Sequence, residues 1–336
     1  MAADEATFFY TLATGAYFPG TVALLNSLRL SGNSGELVVA DAGLSAEQRA
    51  RLERHATIVP LPGDVAATPY LAKPYTPRSQ ERGVAVLIDS DMLVTRSLEP
   101  YIEVARDGSI CVFADHVEAR GRRFDEWSDL LGLDAPIRSQ TYVNTGFVCL
   151  SVDHFPRFFE RWFELCLRAS SDQAMTTPAA PFYAADQDVL NAILASEVPS
   201  EIIRVLPERE EVYWDDLREV EVVDGATLEC RFRGGRPAIL HYSFAPKPWA
   251  PRGWLRVKHD AFVRLLPRVL SAQDVPLRLD ASELPFWLRG HSSATLFLRA
   301  TDTVHVAAKR LVSVLPDALR RPLLWLRERV YEGLRR

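Results

Sequence analysis

The chain has 336 residues, 48% of them apolar, and 39 Lys+Arg against 44 Asp+Glu give a formal net charge of -5. That length suits one large α/β domain with an extension, or two ordinary domains, and the acidic balance argues against a nucleic-acid partner, whose footprint is basic. Cys111, Cys149, Cys166 and Cys230 lack C-x-x-C spacing, the N terminus lacks a basic-then-apolar leader, and no apolar run approaches ~18 residues, so the reading excludes a zinc or disulfide framework, a signal peptide and a spanning helix and favours a cytoplasmic setting.

In chain order, an apolar run from Thr7 to Leu12 stops at Ala13-Thr14-Gly15 and is followed by a helix-like stretch from Thr21. Glu36 opens a second strand, and Asp41 leads into an Arg/Leu-rich helix in which Ser45 and Gln48 have capping-box spacing. Thr57 opens a third strand, and this βαβαβ alternation implies a parallel sheet with covering helices. Val84 to Ile88 is a continuous β-rich apolar run, as expected of a strand buried on both faces, and it ends at Asp89. Strands are predicted at 109–115 and 141–151, separated by a long polar segment of the kind that is usually functional or disordered, with an ordinary amphipathic helix as the plain reading. Trp127 and the arginines of that segment are candidates for an acceptor wall. Helices are predicted over 155–168 and from Asp186, and a late strand over 237–243 leads into a proline-stiffened loop through Pro246, Pro248 and Pro251.

The C-terminal stretch 307–336 holds eight basic residues against three acidic ones, interleaved with Leu, Val, Trp325 and Tyr331. Such a pattern suits a helix pair lying on an anionic membrane, packing on the domain or forming a dimer, with the membrane reading leading.

Asp89 and Asp91 are two apart in an extended segment, so both carboxylates can face one cation. Hard oxygen ligands suit Mg²⁺ or Mn²⁺. Asp186-Gln187-Asp188 repeats the D-x-D spacing at a probable helix start, where its acids can serve only as caps. His241 at a strand end is by itself more often structural than a ligand, but it is followed by Lys247, one of four lysines among the 39 basic residues. An imidazole for a metal and an ammonium for phosphate on one loop suit a diphosphate leaving group. Gly15 to Gly20 has phosphate-loop spacing but lacks the following Lys, no G-x-G-x-x-G follows the first strand, and no G-x-S-x-G is present.

Over about residues 7–255 these motifs resemble, in order and spacing, the retaining GT-A glycosyltransferases of the glycogenin and lipopolysaccharide galactosyltransferase type (glycosyltransferase family 8). The resemblance implies an α/β GT-A fold, a Rossmann-like nucleotide-diphospho-sugar transferase with a mixed central sheet, over 1–260. The C-terminal helical extension over 261–336 is read from the basic amphipathic pattern and not from the resemblance, which implies Mn²⁺ (or Mg²⁺) held by Asp89, Asp91 and His241, and a nucleotide-sugar donor of the UDP-sugar kind. Ala13 and Thr14 would offer backbone contacts to the nucleotide, Tyr17 would pack on the base, and Lys73 would lie near the donor phosphates or ribose. Ser90 completes the metal motif, Asp115 and Asn144 would contact the donor sugar, Asp186 and Gln187 would occupy the sugar face of the reacting centre, and Lys247 would bind the diphosphate. The implied activity is transfer of a hexose to a saccharide, lipid-linked or other glycan acceptor; peripheral contact at the inner face of the cell membrane is the expectation from the basic C-terminal stretch alone. A nucleotidyltransferase would need a basic, glycine-rich first loop, which 12–20 lacks; a non-catalytic nucleotide-sugar binder would not need both acids, His241 and Lys247. Two departures are Phe244, where the family carries Gly, and Gly15, where a polar base-reading side chain is common.

Overall fold

A computed structural model describes residues 6–115, 124–170, 180–184, 186–213, 215–251, 253, 257–301 and 303. The first half alternates as the sequence predicts: β1 (Thr7–Ala13), α1 (Phe18–Leu30), β2 (Glu36–Asp41), α2 (Ala46–Leu52) and β3 (Thr57–Pro60). The capping box at the start of α2 is formed, with the Ser45 side chain accepting from Gln48 N and Gln48 Oε1 accepting from Ser45 N. Two single turns, α3 (Gly63–Ala66) and α4 (Pro69–Ala72), precede β4 (Val84–Ile88), the short β5 (Met92–Val94), α5 (Glu99–Arg106) and β6 (Ile110–Ala114). Next come α6 (Trp127–Leu131), β7 (Val143–Ser151), α7 (Phe158–Ser170), α8 (Asp186–Ser196), β8 (Ile203–Leu206) and β9 (Glu211–Tyr213). A hairpin of β10 (Glu221–Asp224) and β11 (Glu229–Arg231), then β12 (Ile239–His241) and α9 (Ala261–Ser271), complete the elements used below.

Seven strands form one sheet in the order β3-β2-β1-β4-β7-β6-β8. It is mixed: β7 runs antiparallel to both β4 and β6, and the other pairings are parallel. Every residue of β4 is buried because both faces are covered. Val84, Val86 and Ile88 join the core shared with α1 and α9, while Ala85 and Leu87 join the core shared with α7 and α8, as the two-residue period of a strand requires.

A second, three-stranded sheet sets the site. β12 pairs antiparallel with β5 and parallel with β9, so Met92, His241 and Tyr213 lie side by side. β5 follows the acidic motif by one residue, and this pairing therefore carries His241 to Asp91 across 150 positions; Tyr242 N donates to Asp91 O at 3.0 Å.

After residue 260 the chain continues the same core. Phe262, Leu265, Leu266 and Val269 of α9 are buried against α1, each contributing about 1.5–3 kcal/mol of transfer free energy. The buried Asn26 of α1 fastens this layer, donating to the carbonyls of Val269 (2.6 Å) and Leu277 (2.7 Å) and accepting from Leu277 N. Residues 304–336, which include the whole of the basic amphipathic stretch 307–336, lie outside the described residues. Among the described residues no helix is long and apolar enough to cross a membrane.

Candidate active site

β4 delivers Asp89 to the C-terminal edge of the sheet, where open α/β sheets place ligands. Asp89 N donates to Gly146 O (3.0 Å) and Met92 N to Asp89 O (3.2 Å), a turn that holds both acids of the motif. Asp89, Asp91 and His241 each present a ligand atom, and these atoms lie within 4.8 Å of one another. Asp91 Oδ2 accepts from Lys247 Nζ at 2.5 Å, whereas Asp91 Oδ1 is buried with no hydrogen-bond partner among the described residues. His241 Nε2 faces that oxygen at 3.5 Å, too long for a hydrogen bond. An orphaned carboxylate oxygen opposite an imidazole nitrogen and beside a second carboxylate is a donor set that a Mn²⁺- or Mg²⁺-like ion fits.

The charges around Asp91 are arranged to keep it ionised. Burial pushes the Asp91 carboxyl up, but Lys247 and His241 outweigh it and hold it well below the carboxylate range. Burial likewise disfavours a charged imidazole, but the carboxylates of Asp91 and Glu211 on either side of the ring overcome it, pushing His241 up to about 10. Lys247 Nζ also donates to Tyr242 O (2.7 Å) and lies 5.7 Å from the centre of the Tyr17 ring.

Lys73 stands on the other side of the pair. Its ammonium meets Asp89 Oδ1 at 2.9 Å, donates to Thr145 O (3.2 Å) and Oγ1 (3.1 Å), and reaches Asp186 Oδ2 at 3.5 Å. The lysine expected at the donor phosphates is thus turned onto protein acids, because an ammonium exposed by only 17% needs compensating charge. Asp186 is 8% exposed, and burial raises its carboxyl despite Lys73.

The first turn of α8 lies beside Lys73 and Asp115. Gln187 Nε2 donates to Asp115 Oδ2 (2.9 Å), and Gln187 Oε1 accepts from Thr145 N (3.2 Å). Asp188 is instead structural, accepting from Tyr142 OH and Ala184 N at 2.8 Å each. Asn144 is buried, with its Oδ1 accepting from Gly146 N at 2.7 Å and its amide donating to Glu211 Oε2 at 2.9 Å. Glu211, missed in the sequence, is fully buried and also meets His241 Nδ1 at 2.8 Å. Its one sequence signal is an acid heading the β-like Glu211-Val212-Tyr213.

The Ala13 carbonyl accepts from Ala42 N and the Thr14 carbonyl from Tyr17 N, both at 2.9 Å, so these two oxygens serve the fold. Tyr17 is edge-on to Trp249 at 6.2 Å, and Trp249 Nε1 donates to Ala16 O at 3.0 Å, which joins the first turn to the Lys247 loop. Gly20 allows that junction: a Cβ there would lie 2.4 Å from Ser90 O and 2.6 Å from the Trp249 ring. The buried Ser90 thus lends the site its backbone position, and Phe244 packs half-buried on the core. Trp127 is not available to an acceptor: it is 1% exposed, stacks on Phe182 and donates to Pro181 O at 2.7 Å. Arg138 is likewise spent on the carbonyls of Leu194 and Ser196, and residues 116–123 lie outside the described residues.

The mixed sheet with an acidic motif at the end of its central strand is the GT-A glycosyltransferase fold. The bifunctional glycosyltransferase WbbM, solved in its apo form, matches at a TM-score of 0.50 and 17% identity over 82% of this chain, which spans about half (51%) of WbbM. The galactosyltransferase LgtC, solved with donor and acceptor sugar analogues, matches at a TM-score of 0.48 and 17% identity over 73% of this chain and 90% of its own. GlyE of Streptococcus pneumoniae TIGR4 matches at 0.46 and 13% over 73% and 56%. No protein-family model and no curated protein matches the sequence.

Proposed function

We propose that the chain is a metal-dependent glycosyltransferase that moves a hexose from a nucleotide sugar, with a UDP-sugar as donor, to a saccharide or lipid-linked acceptor, with retention of anomeric configuration. The observation that carries the reading is the convergence of Asp89, Asp91 and His241 around the orphaned Asp91 Oδ1, with Lys73 and Lys247 flanking. Three ligands from two sheets, two ammonium groups and an acid-amide turn are more than a structural salt-bridge cluster needs.

Transfer breaks the bond between the anomeric carbon and the donor's diphosphate through an oxocarbenium-like state, so the main requirement is to stabilise charge on the departing phosphate. When bound, a divalent cation supplies Lewis-acid neutralisation there. Asp89, Asp91 and His241 would hold it. Lys247, paired with Asp91 in a buried setting, contributes an N–H donor to the diphosphate, and Lys73 keeps Asp89 and Asp186 apart in orientation while neutralising their repulsion. Asp115, Asn144, Asp186 and Gln187 are assigned to the sugar, with Gln187 oriented by Asp115 and Thr145. Tyr17 is assigned to the nucleotide, whose backbone contacts would come from the turn at Ala13 and Thr14. Residues 304–336 are assigned to peripheral contact with anionic lipid on the cytoplasmic face of the membrane; liposome co-sedimentation that is unchanged in a chain cut after about residue 300 refutes that part.

A panel of nucleotide sugars with Mn²⁺, run with and without chelator and read as free nucleoside diphosphate, tests the whole reading. Chelator-sensitive release that Asp91→Asn abolishes supports it. Near-normal release by that variant, or pyrophosphate as the product, refutes it.

A further inference from the structure

One buried acid is left without a role in this scheme. Glu211 heads β9 and is completely shielded from solvent, a costly place for a carboxylate unless both oxygens are bonded. Both are, and both bonds go to site residues: Oε1 to His241 Nδ1 at 2.8 Å and Oε2 to Asn144 Nδ2 at 2.9 Å. The pairing explains the reach. Tyr213 is directly across from His241, and Glu211 lies two residues back on the same face of β9, diagonal to the imidazole.

The bonds continue into a chain that links the two acids of the motif. Asp89 N donates to Gly146 O, Gly146 N donates to Asn144 Oδ1, Asn144 donates to Glu211, Glu211 holds His241 Nδ1, and His241 Nε2 faces Asp91 Oδ1. Gly146 permits the closure, since a Cβ there would lie 3.1 Å from His241 Cε1 and 2.3 Å from Met92 Cε. A carboxylate accepts and does not donate, so Nδ1 keeps its proton, and Nε2 is the nitrogen that would give up its proton and offer its lone pair to a cation.

We propose that Glu211 is the positioning residue of the cation site, fixing the tautomer and orientation of His241 and tying them to the sugar-side Asn144. The inference rests on the reading of Asp89, Asp91 and His241 as that site. Carboxylates behind metal-binding histidines act in this way, and their loss typically weakens metal binding 10- to 100-fold.

The test is Mn²⁺ titration of the full chain by calorimetry, without donor, for wild type, Asp91→Asn and the near-isosteric Glu211→Gln. The expected result is saturable binding by wild type, none by Asp91→Asn, and a dissociation constant raised about 10- to 100-fold in Glu211→Gln. A packing role predicts no change in Glu211→Gln. Wild-type affinity in Glu211→Gln with loss in Asp91→Asn overturns the role of Glu211 alone, whereas no binding by wild type overturns the site reading and this inference together. Should Glu211→Gln not fold, ¹⁵N NMR of Cd²⁺-loaded wild type decides: a metal-bound Nε2 with protonated Nδ1 is expected, and the reverse arrangement overturns the proposal.

Discussion

Lys247→Met isolates the charge arrangement on which the site depends. The variant keeps most of the apolar stem and removes the ammonium that meets Asp91 Oδ2 at 2.5 Å, in a pair whose side chains are only 7% and 12% exposed. Removing one partner of a buried ion pair leaves an uncompensated charge, at a cost of about 3 kcal/mol at the lower end of the usual range. The lost bond to Tyr242 O adds a smaller amount. For a chain of this length about 2 °C accompanies each kcal/mol, so in chelator the melting temperature should fall by roughly 6 °C. Asp91→Asn in the same background removes the stranded charge and should recover much of that loss, giving a coupling energy of about 1–3 kcal/mol in a double-mutant cycle. Mn²⁺ should also stabilise Lys247→Met, because a bound cation restores the missing positive charge. Thermal melts by differential scanning fluorimetry in chelator and in Mn²⁺ supply all of these values. Coincident melts of wild type and Lys247→Met in chelator, or additive single variants, refute the reasoning.

Gly20→Ala should lower stability by about 1–3 kcal/mol and weaken nucleotide binding together, because the added methyl meets a backbone oxygen, Ser90 O at 2.4 Å, as well as the Trp249 ring; melting and equilibrium binding of a nucleoside diphosphate check it, and an unchanged variant contradicts the packing described. Asp41 gives a pH prediction: burial raises its carboxyl, but bonds from Leu44 N, Gly43 N and Arg49 prevail and lower it. A depressed folded value means the stabilisation is present above about pH 4 and is lost as pH falls further. Asp41→Asn should therefore be less stable by about 1–2 kcal/mol at pH 7 and should show a smaller decline on acidification; parallel pH–melting curves for the two proteins contradict this.

Local patterning made much of the scaffold legible. The apolar run 84–88 ending at Asp89 announces a two-face-buried strand because no polar residue interrupts it, and Ser45 with Gln48 announces the start of α2 because a capping box is a contact within four residues. What depended on pairing between distant segments was not legible. β5 is three residues long and carries no period of its own, so the register that sets Met92 against His241 and Tyr213 exists only in the folded sheet. Glu211 was missed for the same reason: its partners are 30 and 67 positions away. Asp188 and Asp186 share one D-x-D, and only tertiary contacts separate the capping acid from the one that meets Lys73. Trp127 reads as an exposed aromatic in a polar segment and is buried by Phe182 and Pro181, which follow more than fifty residues later.

The central claim is that Asp89, Asp91 and His241 hold a divalent cation against a nucleotide diphosphate. Anomalous diffraction from crystals grown with Mn²⁺ and UDP tests it most directly. The account predicts a manganese peak bounded by one oxygen of Asp89, the Asp91 carboxylate and His241 Nε2, with diphosphate oxygens completing its shell. Bound UDP with no manganese among those three residues, or manganese held by other side chains, would contradict it.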